Sequence, residues 1–117
     1  MRLLSLVVIF FLCSSISWAY NIDYRSVPKE DQKIYDIMVK SIDKKYFVGV
    51  NKIIVYNREM WVKWDGIYFA GNGIILIDKS GLYSFEYTLK HELSHHKCWK
   101  ENKDVSHGSQ CFTNGLD

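Results

Sequence analysis

Apolar residues are laid out along this chain in several distinct ways. Leu3 to Leu12 is a continuous apolar run broken only by Ser5, preceded by Met1-Arg2 and followed by a small-residue stretch ending Ser17-Trp18-Ala19. A basic start, an apolar run too short for a relaxed bilayer span and a small-x-small end predict a secretory signal peptide over residues 1–19, cleaved after Ala19. Tyr20 to Arg25 is then expected to be an extended entry. Farther on, Ile34, Ile37, Met38 and Ile42 recur at helical spacing, with Tyr35 and Tyr46 flanking the stripe. Ser26-Val27-Pro28 reads as a helix start, and Glu30-Asp31 fall at the positive end of the helix dipole. The spacing predicts an amphipathic helix over 27–46 whose aromatics are core.

After Gly49 the period changes. Ile53-Ile54-Val55-Tyr56 is a β-branched and aromatic run, so Val50 to Tyr56 is expected to be a strand. Asn57 to Asp65 is polar, punctuated by Trp61 and Trp64, which read as core aromatics in preference to the lining of a cleft. Ile67 to Ala70 and Ile74 to Asp78 flank Gly71-Asn72-Gly73, whose residues tolerate positive φ, and together predict a β-hairpin. Ile74 to Ile77 is expected to be the edge strand beside the helix that follows.

That helix is predicted over Leu82 to Lys103. Leu82, Phe85, Leu89 and Leu93 form a core stripe, while Ser84, Tyr87, His91, His95 and Cys98 form a second stripe on another face. Tyr87 reads as a packed aromatic, and His96 as a surface residue or a support to its neighbours. The tail from Asp104 holds His107-Gly108 and Cys111. The pattern is α+β, without internal repeats or linkers.

Composition changes this picture little. The 117 residues are 48% hydrophobic and 24% charged, which suits one globular domain over residues 20–117 after the leader. The net charge of +2 comes with no basic patch and argues against a nucleic-acid partner. Cysteine count adds more. Cys13 leaves with the leader, and Cys98 and Cys111 remain as a pair expected to form a disulfide in an oxidising compartment; the rival reading makes Cys98 a metal ligand.

The chemistry is concentrated in His91-Glu92-Leu93-Ser94-His95. Helical positions four apart share a face, so His91 and His95 can offer two imidazole nitrogens to one zinc ion. Glu92, one position around the helix, is placed to act as general base on a zinc-bound water.

The order helix, strand, hairpin, metal helix and metal-bearing tail resembles the zincin metallopeptidases. The His-Glu-Leu-x-His start and the later His107-Gly108 pair are similar to SprT-like metallopeptidases and other minimal, minigluzincin-type zincins, over roughly residues 30 to 112. The resemblance implies that His91, His95 and His107 bind one Zn(2+) per chain and that Glu92 is the catalytic base. It implies a minimal zincin-like fold: an N-terminal helix, a small sheet with a β-hairpin, the metal helix and a short tail. The family places an acid and then an aromatic after His-Gly. Here Ser109-Gln110-Cys111-Phe112 follows, with glutamine for the acid and the aromatic one place later. Asp104, Glu101 and Cys98 are the other candidates for third ligand.

The expected function is an exported zinc metallopeptidase, secreted or periplasmic, acting on a peptide or protein substrate, with no stable membrane span after leader cleavage. Two other functions compete: a non-catalytic zinc-stabilised binding or inhibitory domain, and a zinc amidase acting on a non-peptide cell-wall amide. Glu92 favours an enzyme, because a structural zinc site closes all four positions with protein ligands and has no use for a carboxylate there.

Overall fold

A computed structural model describes residues 20–57, 65–80, 84–114 and 116; the expected leader, Trp61, Trp64 and Leu82 lie outside them. Strand β1 (Asn21–Arg25) leads into helix α1 (Lys29–Ser41), a 3-10 turn (Lys44–Phe47) and β2 (Lys52–Tyr56). The hairpin strands β3 (Gly66–Phe69) and β4 (Ile74–Asp78) precede the long helix α2 (Phe85–Asn102) and the short helix α3 (Gln110–Asn114). The fold class is α+β, with a four-stranded mixed sheet in the order β1-β2-β4-β3. No helix among the described residues is long and apolar enough to cross a membrane.

The expected extended entry is a strand. β1 lies parallel to β2, with Ile22 opposite Ile53, and α1 supplies the crossover that a parallel pair needs. The Tyr24 hydroxyl donates to the Asp36 carboxylate at 2.5 Å and ties β1 to α1. The hairpin forms as expected, with Gly71 at φ 87° and Gly73 at φ 67° in its turn.

β4 is not an edge strand. It is hydrogen-bonded on both sides, parallel to β2 and antiparallel to β3, so among the described residues the edge beside α2 is β3. A near-continuous apolar run such as Ile74-Ile75-Leu76-Ile77 is what an interior strand carries. Periodicity reveals the hairpin but not which of its strands finds a further neighbour.

The core forms where alternation in the strands meets the stripe of α2. Ile53 and Val55 of β2 lie opposite Ile75 and Ile77 of β4, all four fully buried, with Leu89 and Leu93 of α2 equally buried among them. α1 and the residue that ends it bury only half of the stripe expected there. Val39 and Ile42 are buried and Tyr35 and Met38 partly so, whereas Ile34 and Ile37 are 49% and 69% exposed. Tyr35 sets this rotation by stacking on Phe85 of α2, with ring centroids 4.2 Å apart. α1 also stops at Ser41, short of residue 46, because Ile42 is extended and the Asp43 carboxylate caps the 3-10 turn through the Lys45 N–H.

Candidate metal centre

α2 begins where Ser84 accepts a hydrogen bond from the Tyr87 N–H at 3.2 Å. It ends at Lys103, which takes a left-handed conformation (φ 56°) and donates its N–H to the Trp99 carbonyl at 2.9 Å. That cap, built on a lysine, is why the helix end carries no glycine or proline mark in the sequence. It turns the chain back along the helix. The Asp104 carboxylate then accepts from the Ser106 N–H at 2.9 Å, and the segment delivers His107 to the face bearing His91 and His95.

Three Nε2 atoms converge there. Those of His91 and His95 lie 3.2 and 3.1 Å from Nε2 of His107, and all three donor atoms fall within 4.8 Å of one another. Zinc–nitrogen bonds of about 2.0–2.1 Å at tetrahedral angles would separate ligand nitrogens by about 3.3–3.4 Å, so the spacing fits a metal site. The cluster could hold a metal ion. His95 is buried, His91 half-buried and His107 exposed. Burial, reinforced by His107, lowers the His91 pKa; burial, with His91 and His107 close by, lowers that of His95 to about 4. Both rings are therefore neutral near pH 7, the form that binds metal. Nδ1 of His95 is buried beside the Val105 backbone without reaching hydrogen-bond geometry.

Glu92 is 5% exposed, and its Oε2 lies 4.0 Å from Nε2 of His91. Burial pushes its carboxyl up to about 7. The three histidines and Glu92 share a cleft of about 290 Å³ whose opposite wall is β3 at Gly66, Ile67 and Tyr68.

The other candidates for third ligand are held elsewhere. Cys98 and Cys111 form a disulfide, with Cα atoms 5.7 Å apart, which removes the thiolate reading of Cys98. Asp104 is turned to the Ser106 backbone, which holds its pKa below the usual range. Glu101 is exposed, its carboxylate 3.9 Å from Sγ of Cys111.

One expectation about α2 is corrected and another is narrowed. Tyr87 is 56% exposed, because only the far half of its stripe, His95 and Cys98, is covered; its ring lies 6.3 Å from that of His91, in the wall of a groove of about 480 Å³. His96 is buried, not at the surface. Its Nε2 lies 2.7 Å from the Val48 carbonyl and its Nδ1 2.7 Å from the Tyr68 hydroxyl. A neutral ring that donates from Nε2 and accepts at Nδ1 satisfies both contacts. It fastens β3 and the segment before β2 to α2.

Gly66 and Phe112 are features of the site that sequence reasoning missed. A Cβ on Gly66 would meet Thr88 Cγ2 at 2.7 Å and Glu92 Oε2 at 3.0 Å, so only glycine lets β3 approach α2 this closely. Phe112 contacts all three histidine rings, with centroids 5.0 Å from His91, 4.5 Å from His95 and 5.0 Å from His107. The displaced aromatic after His-Gly was a visible cue to Phe112. Gly66 carried none, because the contact it permits is long-range.

Comparison with protein-family models, curated proteins and solved structures gives no match.

Proposed function

We propose that this chain is a small exported zinc metallopeptidase. The observation that carries the reading is the convergence of three imidazole donors with one buried carboxylate in a single cleft. Three protein ligands are the complement of catalytic zinc sites, which keep a fourth position open, and among the described residues no fourth donor joins the group.

When bound, a zinc ion would lower the pKa of a coordinated water and polarise the scissile carbonyl. His91, His95 and His107 would hold it. Glu92 would take a proton from the attacking water and return it to the leaving amine. Its place inside the cleft supports that role. Edge strand β3, which forms the opposite wall, has no outer neighbour in the sheet among the described residues and suits an extended peptide bound by strand addition.

The test is metal analysis of the purified protein with a protease assay, run beside Glu92→Gln. Wild type is expected to hold one zinc per chain. The variant is expected to keep that zinc and lose roughly 10²- to 10⁴-fold in rate, the usual contribution of a positioned acid–base. Retained activity in Glu92→Gln would overturn its role as base. Zinc without activity on any peptide would favour a zinc-stabilised binding domain.

A further inference from the structure

We infer that Phe112 is a positioning residue, which holds the rings of His91, His95 and His107 in their converging arrangement before a metal arrives. The inference rests on reading the three histidines as a metal site and adds the device that pre-forms it.

Three imidazoles on mobile side chains do not converge without a cause. Each can rotate away, and that freedom is lost on metal binding unless packing has already removed it. His107 needs the restraint most, since it is exposed and sits in an irregular segment. Phe112 is nearly equidistant from the three rings and meets them in two ways. It is stacked on His95 at an interplanar angle of 26°, and edge-on to His91 and His107 at 78° and 81°. Stacked and T-shaped contacts at these distances are the favoured arrangements of aromatic pairs. One flat ring thereby restrains three others, which an aliphatic side chain of similar volume cannot do.

Phe112 is itself fixed from both sides along the chain. Its N–H donates to Ser109 Oγ at 3.1 Å, and its neighbour Cys111 is bonded to Cys98 of α2. Cys98 lies three residues beyond His95, so the ring and two of the three histidines are referenced to one helix. The ring also leaves the chemistry open. It lines the groove with Tyr87 and not the cleft that holds Glu92.

Zinc affinity by chelator competition, the visible spectrum of the cobalt(II)-substituted protein and the melting temperature of the metal-free protein separate positioning from general packing. Phe112→Ala is expected to weaken zinc binding roughly 10- to 100-fold, the range for groups that orient metal ligands. Its cobalt(II) spectrum should lose tetrahedral intensity, while metal-free melting moves little. Phe112→Tyr, which keeps the ring, is expected to behave as wild type. Should Phe112→Ala not fold, Phe112→Leu is expected to show the same weakening, because it keeps apolar bulk without a plane. Unchanged affinity, or a loss matched by lower metal-free stability with an unaltered spectrum, would overturn the inference. NMR of the metal-free protein decides independently of metal. Ring-current shifts on the carbon-bound protons of all three imidazoles are expected in wild type and absent in Phe112→Ala; their absence from wild type would overturn the inference. A wild type that shows these shifts yet binds no zinc would refute the metal-site reading while leaving the packing role of Phe112 intact.

Discussion

Gly66 is where one missing carbon has the largest consequence. Its Cα lies so near α2 that an added methyl would overlap Thr88 and press on the Glu92 carboxylate. Gly66→Ala is therefore expected to cost about 1–3 kcal/mol, the usual range for overpacking, measurable by chemical denaturation. It should also lower the proposed peptidase activity by displacing Glu92. Unchanged stability and activity would show that the strand yields without effect. His96 gives a second case. Tyr68→Phe removes the hydroxyl at 2.7 Å from Nδ1 and leaves a buried acceptor without a donor. A loss of about 1–3 kcal/mol is expected, with zinc content unaltered, because His96 faces away from the cluster. Equal stability in the two proteins would mean that water replaces the hydroxyl.

α2 is the element in which the core and the histidine cluster are combined. Leu89 and Leu93 are fully buried on one side, and the turns between and after them present His91 and His95 on another. The Cys98–Cys111 bridge belongs to this scale, since it joins α2 to α3 across a separation of 13 residues. The chain-entropy model gives about 3 kcal/mol for a loop of this size. Reduction of the metal-free protein is expected to lower stability by about that amount and to weaken subsequent zinc binding, since the His107 segment loses its anchor. Zinc affinity equal in oxidised and reduced protein would show that the segment holds its place without the bridge.

Across the whole molecule, what could be read in the sequence was local. The hairpin, the two stripes of α2 and the four-residue step between His91 and His95 each follow from a period within one segment. Pairing between segments did not follow. Nothing in Ile74–Ile77 states that β2 lies on its far side, and nothing in α1 states that Ile34 is left outside when Tyr35 stacks on Phe85. The position of His107 depended on the reversal at Lys103, a residue without a strong turn preference. Tyr87 was misplaced, and His96 left between two readings, because a helical stripe gives angles around the axis but not what meets each face.

The way the histidine cluster is divided along the chain also has a meaning in time. His91 and His95 leave the ribosome together on α2, while His107 follows twelve residues later and Phe112 and Cys111 later still. The cluster cannot be complete on a nascent chain that stops short of residue 107. Its fastening must wait further, for the Cys98–Cys111 bond needs both thiols and an oxidant. On the growing chain the order is thus fixed: the helix emerges with two of the histidines first, the returning segment brings the third, and the bond between Cys98 and Cys111 can form only last.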